Sequence, residues 1–202
     1  MDIIILAILI AAGTFMLNAK EQRKRIVLLG SHLSNYQIEK LMEALTDGYL
    51  RALGETTDER RTQIWNLLST TESQLSEQFA RFAADFAKLD EERTRVSRLA
   101  LAIPFADKLF PNLTFDFRKA LAIHARGIAN VAQNTGHLSP KDRAFMMTAE
   151  LLLMQHTCHW FCKSKTVATA RMLARHQTPH EQLVASVSAE TRRAYLALIQ
   201  GE

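Results

Sequence analysis

An uncharged apolar run close to the N-terminus constrains this chain more than any other feature of its sequence. Residues 3–17 read IIILAILIAAGTFML and contain no charged side chain. A helix needs about 20 mainly apolar residues to cross the core of a bilayer. Met1, Asn18, Ala19 and a snorkelling Lys20 extend the run toward that length. We therefore predict a transmembrane helix that contacts the lipid bilayer through residues 3–17.

Two other interpretations of this run are open at the level of sequence. A signal peptide normally begins with positive charge, whereas the charge before this run is the acidic Asp2, and no Ala-x-Ala cleavage site follows. The run also lacks a cysteine that would carry a lipid anchor. A plain buried helix is the second alternative.

A basic flank directly after the apolar run predicts the orientation of the span. It consists of Lys20, Arg23, Lys24 and Arg25. Because positive charge is retained on the cytoplasmic side of membranes, we expect the N-terminus outside and the remainder of the chain in the cytoplasm. The two cysteines, Cys158 and Cys162, form no disulfide framework, which fits a reducing compartment.

The rest of the chain is typical of an all-α domain. Seven glycines and four prolines in 202 residues favour long helices over short strands joined by tight turns. No useful length of strand-like alternation occurs, and no internal repeat is found. We predict an anchor and basic flank over residues 1–25 and a bundle of about six helices over residues 26–202. With a single N-terminal transmembrane helix, this makes a single-pass membrane protein.

The first half of the predicted bundle contains two capping boxes. Ser34 with Gln37 predicts the start of a helix that ends at Gly54, and TTDE at residues 56–59 predicts the start of a second, long helix. The apolar stripe of the second helix continues at helical spacing from Ile64 to Val96. Its three phenylalanines are bulky for a dimeric coiled coil, so we favour an intramolecular hairpin with the preceding helix.

The second half of the bundle contains further start signals. A helix is predicted to begin near Thr114, with His124 on its apolar face. Ser139 and Pro140 predict the start of the next helix, which is apolar on nearly every side and therefore central. Starts are also predicted within TPHE, residues 178–181, and at Ser188.

The stretch MQHTCHWFCKSK, residues 154–165, concentrates side chains that bind metals. On an intact helix, Cys158 and Cys162 lie 40° apart at about 100° per residue, whereas His156 points away from both. A metal ion would therefore use at most Cys158, His159 and Cys162, with further ligands from elsewhere. Core packing is the interpretation we favour, and thiol redox sensing is a third.

Two histidines in apolar surroundings suggest a second, less favoured cofactor site. His124 and His156 both sit on apolar helix faces, and two facing histidines inside a bundle are able to ligate haem or a metal. More often such a histidine is neutral and bonded to a backbone carbonyl or to a buried acid, here Glu150. We expect no bound cofactor, and haem or metal sensing is the alternative.

A second basic stretch predicts contact with the membrane surface. No acid occurs between Leu151 and His180, whereas four cations do. These cations are Lys163, Lys165, Arg171 and Arg175. Held near the inner leaflet, they would favour anionic lipid. A solvated helix face is the other interpretation, and no motif for specific nucleic-acid binding accompanies the charge.

The functional expectation follows from architecture and from missing motifs. The chain contains no phosphate-binding loop, no nucleophile elbow and no His-Glu-x-x-His zinc motif. We therefore expect no catalytic residue and identify no small-molecule ligand, and a helical enzyme whose site is assembled from distant residues is the third alternative. The expected role is a membrane-anchored adaptor, scaffold or accessory subunit of a membrane-associated assembly, with a protein partner or a second copy of the chain as its ligand.

Overall fold

The fold is almost entirely helical, and a computed structural model describes it for residues 2–201. The helices are α1 (Asp2–Leu33), α2 (Ile38–Gly54), α3 (Asp58–Phe86), α4 (Glu91–Thr94), α5 (Ala106–Leu109), α6 (Phe117–Ala132), α7 (Pro140–Cys162), α8 (Lys165–His176), α9 (His180–Ser186) and α10 (Ala189–Gln200). The strands are β1 (Arg95–Ser97) and β2 (Thr114–Asp116). The predicted all-α class is confirmed, and six helices of twelve or more residues follow α1.

Helix α1 has two halves with different surroundings. Its apolar half is exposed along residues 3–17, whereas Leu29 in its second half is buried in the core of the domain. Among residues 2–201, α1 is the one helix long and apolar enough to cross a membrane. The exposure of the run shows that the interpretation as a buried core helix is wrong. The helix continues through Gly30, so the predicted domain boundary after residue 25 falls inside it.

Helices α2 and α3 form the predicted intramolecular hairpin. They run antiparallel, and the stripe of α3 packs against both α2 and α6. The buried members of the stripe are Leu68, Leu75, Phe79, Phe82 and Phe86. Gly48 allows the close approach of the two helices, because a Cβ atom there would clash with the Leu68 side chain. The dimeric coiled coil is therefore wrong, since this stripe is occupied within the chain.

The prediction that α3 continues to Val96 is also wrong. The helix ends at Phe86, and Val96 lies on β1, which pairs antiparallel with β2 through Val96 and Phe115. Val96 is buried because it lies on a strand. Its apolar side chain matches the spacing of the α3 stripe without belonging to a helix. The strands have three residues each, which is too short for alternation to be recognised.

The central core lies where α3, α6 and α7 meet. The rings of Phe117 on α6 and Phe161 on α7 stack with centroids 4.3 Å apart. Phe86 meets both rings edge-on, at 5.4 Å and 6.1 Å. Such aromatic contacts add to the stabilisation gained from burying the rings. Helix α7 is the buried central helix that the sequence predicted, and a smaller core around Leu153 and Tyr195 lies between α7 and α10.

Local capping signals succeeded at two of the five starts for which a cap was predicted, and the sixth start, predicted near Thr114, falls on β2 before α6 begins at Phe117. Ser139 accepts a hydrogen bond from the Asp142 backbone at α7, and Ser188 does the same for Thr191 at α10. At the other three starts, the predicted side chain forms no capping hydrogen bond. Helix α2 begins at Ile38 without a side-chain cap, and neither α3 nor α9 is capped by the predicted threonine.

Candidate functional site

A buried polar chain connects α6, α7, α9 and α10. It starts at His124, which is fully buried, with its Nε2 atom 2.9 Å from the Thr157 hydroxyl. Thr157 donates its own proton to the Leu153 carbonyl at 2.9 Å. The hydroxyl therefore accepts from His124, which places the imidazole proton on Nε2.

The chain continues through a pair of stacked histidines. The Tyr195 hydroxyl lies 3.4 Å from both the Thr157 hydroxyl and Nε2 of His180. The His180 ring stacks on His156 with centroids 4.3 Å apart, and Nε2 of His156 lies 3.1 Å from the Thr169 hydroxyl. We call the five residues His124, His156, Thr157, His180 and Tyr195 the buried histidine cluster.

Burial keeps the three imidazoles of this cluster uncharged. It lowers the pKa of His124 to about 3, and burial with the neighbouring His180 lowers the pKa of His156 to about 3. The pKa of His180 falls to about 4 for the same reason, with Lys165 as a second cause. Because burial disfavours the charged form of each ring, the three imidazoles carry no charge near neutral pH.

The structure separates the two histidines predicted as haem or metal ligands. His124 and His156 are bonded to different threonines, although the Nδ1 atom of each is buried without a hydrogen-bond partner. The predicted partner Glu150 bonds neither histidine, because its carboxylate accepts from the Ser188 backbone at 3.1 Å. Across residues 2–201, no three His, Cys, Asp or Glu side chains lie close enough to hold a metal ion together.

The cysteines occupy the face of α7 that the helical geometry predicted. Both are free thiols that pack against the central core, and Cys158 Sγ lies 3.7 Å from Met154 Sδ. Burial raises the pKa of both thiols, that of Cys162 to about 11. His159 is half-buried, and burial together with Arg171 and Arg175 lowers its pKa. The face therefore disfavours the thiolate that metals and oxidants need.

We expect both native thiols to react slowly with a thiol reagent and completely after unfolding. The reason is that burial suppresses the reactive thiolate. Replacing Cys158 and Cys162 together with alanine should cost about 1–3 kcal/mol of stability through lost packing. Ser73→Cys on the exposed face of α3 is the matched control and should react fast. Native thiols that react as fast as this control would contradict the expectation.

A second arrangement lies where α1 enters the domain. Lys163 donates to the Gln22 side chain at 3.0 Å, and the Arg25 guanidinium lies 5.7 Å from the centre of the Phe161 ring. The ammonium of Lys165 lies 5.4 Å from the Trp160 ring. The fold therefore brings the basic flank of α1 and the first cations of the second basic stretch together, although 140 residues separate them.

An open groove of about 770 Å³ runs along the basic flank of α1. Its other side is formed by Glu92, Arg93 and Asp107. The lining from α1 includes the complete basic flank, so cations outnumber acids along the groove. Arg171 and Arg175 lie on the exposed face of α8, beside His159. The eight predicted membrane-surface cations thus lie on α1, at the α7–α8 junction and along α8.

Sequence reasoning missed several members of these arrangements. His180 was noticed only within the TPHE start signal, and Tyr195 was not predicted to belong to a polar cluster. Glu72 was also missed, although it falls on the apolar stripe of α3 between Leu68 and Leu75, and that position is a signal of burial. Its carboxylate is buried and accepts from the Tyr49 hydroxyl at 2.6 Å.

Comparison with known proteins assigns no family to this chain. No protein-family model, no curated protein and no solved structure matches it. Two arrangements of the structure therefore remain as evidence of function. The first is the buried histidine cluster, in which Nδ1 of His124 and Nδ1 of His156 have no hydrogen-bond partner. The second is the end of the bundle where α1 carries its basic flank into the domain.

Proposed function

We propose that this chain is a membrane-anchored, non-catalytic adaptor, scaffold or accessory subunit of a membrane-associated assembly. The observation that carries the proposal is the division of α1. One half presents a continuous exposed apolar surface, and the other half is part of the domain core. Apolar exposure of this size costs free energy in water and is relieved in a bilayer.

The continuity of α1 supports a scaffolding role. The helix carries hydrogen bonds from its polar half into the bundle, at Asn18, Gln22 and Arg25. A span connected by a flexible linker would leave the domain free to rotate, whereas this helix holds the bundle in one orientation at the membrane. A domain with fixed orientation is suited to presenting a binding surface to a partner in the same membrane.

The buried polar groups support a role without catalysis. Nε2 of His124 on α6 bonds Thr157 on α7, and Nε2 of His156 on α7 bonds Thr169 on α8. Glu72 is bonded to Tyr49 and lies beside Arg143, and Glu150 accepts from the start of α10. These groups thus connect helices, which is a structural use of a polar side chain.

The basic flank supports an orientation with the bundle in the cytoplasm. Lys20, Arg23 and Lys24 are exposed beside the end of the apolar run, where they would resist transfer across the membrane. The pair of free thiols is consistent with a reducing compartment. Protease added to right-side-out vesicles should leave the domain intact. Its digestion there would contradict the orientation.

Two lysines in the apolar run should release the protein from membranes. The full-length chain is expected to sediment with membranes and to resist carbonate extraction. Ile5→Lys with Leu9→Lys should move it to the soluble fraction with its helical circular dichroism retained, because both side chains are exposed in the domain structure. The matched control is Leu50→Lys with Leu67→Lys, which changes exposed leucines of the hairpin and should remain in the membrane.

The partner prediction is tested in the same membranes. Mild crosslinking followed by mass spectrometry should recover one reproducible protein neighbour, or a second copy of the chain, with the native sequence and not with the released variant. A chain that crosslinks to nothing in intact membranes would contradict the adaptor role. It would leave the anchoring result unaffected, since the two are measured separately.

One observation favours the sensor as a second candidate. The Nδ1 atoms of His124 and His156 are buried without partners, and an unpaired imidazole nitrogen is a ligand for haem or metal. An absorption spectrum and elemental analysis of protein purified in detergent decide between the candidates. Stoichiometric iron or zinc that is lost in His124→Leu would favour the sensor.

A further inference from the structure

We propose that residues 99–113 form a second membrane contact that enters the same bilayer surface as the end of the α1 span. We call these residues the contact loop. The proposal depends on the anchoring proposed above, because it uses α1 to define where the bilayer surface lies. Its ligand is the interfacial region of a phospholipid bilayer, and the observations that carry it are the position, composition and support of the loop.

The position of the loop is fixed by two hydrogen bonds to α1. The Asn18 side chain donates to the Ala102 carbonyl at 2.9 Å, and the Phe105 backbone donates to the Glu21 carboxylate at 3.2 Å. Asn18 is the first residue after the apolar run, and three helical residues rise about 4.5 Å. If α1 spans the bilayer, the contact loop therefore lies at the depth of the headgroups.

The composition of the loop is unusual for a surface exposed to water. Six large apolar side chains are exposed within thirteen residues, and Leu101 and Leu109 reach 68% and 62% exposure. The other four are Ile103, Phe105, Phe110 and Leu113. A cluster of this kind marks a surface that contacts a partner or a membrane. Aromatic and aliphatic side chains at headgroup depth would leave water for the acyl boundary.

The base of the loop is held by the bundle, so the apolar residues are presented on a fixed support. The β1–β2 pair closes the loop, and Trp160 donates to the Ser97 carbonyl at 2.9 Å. The Arg98 side chain donates to the Leu198 carbonyl at 3.1 Å. The Thr166 hydroxyl donates to the Ala100 carbonyl at 2.7 Å, which places the start of α8 beside the loop.

The charges around the loop match the chemistry of a phospholipid surface. Lys108 is exposed within the loop, and Lys20 and Lys24 line the groove of α1 whose other side includes Asp107 of the loop. Lys163 reaches α1 beside the loop through its hydrogen bond to Gln22. Apolar side chains bordered by cations favour a bilayer that carries anionic headgroups. In water, these neighbouring cations would not stabilise the exposed apolar side chains of the loop.

The test measures the depth of a fluorescent label in vesicles of phosphatidylcholine and phosphatidylglycerol. The full-length chain is labelled with an environment-sensitive fluorophore at Leu109→Cys and reconstituted with lipids that carry a quencher near the headgroup or deep in the acyl region. Leu9→Cys reports the span, and Leu67→Cys, at a native exposure of 72%, is the matched control on α3. Unsubstituted protein measures background labelling of the two native cysteines.

We expect the label at position 109 to shift to the blue and to be quenched most by the shallow lipid. The label at position 9 should be quenched most by the deep lipid, and the label at position 67 by neither. Quenching at position 9 without quenching at position 109 would overturn the contact loop and leave the anchor standing. Quenching at neither position would overturn the anchor, and the contact loop with it.

Discussion

Lowering the pH from about 7.5 to about 5.5 should reduce the free energy of unfolding by about 4 kcal/mol through His124, His156 and His180. The folded domain holds these rings neutral, with pKa values of about 3, 3 and 4. In the unfolded chain each ring takes up a proton near its ordinary pKa of about 6.5.

The direction of this effect follows from proton uptake. Because each pKa is lower in the folded state, the stabilising contribution is complete above about pH 6.5 and is lost as the pH falls toward the folded value. One pH unit below the ordinary pKa costs about 1.4 kcal/mol for each ring. Glu72 and Glu150 act in the opposite sense, because burial raises the pKa of both carboxyls.

Single substitutions separate these contributions. His124→Gln removes one titrating ring, keeps a side-chain N–H for Thr157 and should reduce the pH-dependent loss by about 1.4 kcal/mol. His180→Gln is a second variant with the same expectation. His137→Gln changes an exposed histidine and should leave the loss unchanged. Urea unfolding in mild detergent at both pH values measures the effect, and unchanged pH dependence in both buried variants would contradict it.

The fold was predictable where the signal was local. The starts of α7 and α10 follow from serines that cap the next turn, and the burial of α6 follows from its spacing. These patterns need only the residues of one helix. The long exposed apolar helix followed from an uninterrupted apolar run, which is also local. Consequently the class, the central helix and the hairpin were all accessible from the sequence.

The errors arose where distant residues decide the outcome. Val96 pairs with Phe115 on another strand, and nothing in the spacing around residue 96 distinguishes this from a helical position. Ser34 failed as a cap because α1 continues to Leu33 and leaves the serine in the turn that follows. In both cases tertiary contacts override a plausible local pattern.

The candidate site shows the same division. The burial of His124 and His156 was predictable from apolar spacing. Helical geometry predicted that the two cysteines share a face of α7 and that His156 points away from them. The threonine partners were not predictable, because the pairing of His124 with Thr157 depends on how α6 packs on α7. The contact loop was also missed, since its relation to Asn18 is a contact across 84 residues.

Arg143→Met should destabilise the domain by about 3–5 kcal/mol, because it leaves the buried carboxylate of Glu72 without its countercharge. Nε of Arg143 lies 3.1 Å from Glu72 Oε2, and the Glu72 side chain is 1% exposed. Burial raises the pKa of Glu72, and loss of the arginine raises it further. The free energy of unfolding of the variant should therefore fall as the pH rises, and fall more steeply than that of the native protein. The reason is that keeping the buried Glu72 protonated costs more free energy at higher pH.

A second substitution separates the unpaired charge from the lost packing of the arginine stem. Adding Glu72→Gln to Arg143→Met should restore most of the stability, because the amide still accepts from Tyr49 and carries no charge. Arg126→Met is the matched control, since Arg126 and Glu190 form a pair at 3.8 Å with side chains 71% and 52% exposed. Its expected cost is about 0–1 kcal/mol. Urea unfolding in mild detergent, followed by the fluorescence of Trp65 and Trp160, measures all three variants. A double variant as unstable as Arg143→Met would show that packing of the stem, and not the buried charge, sets the cost.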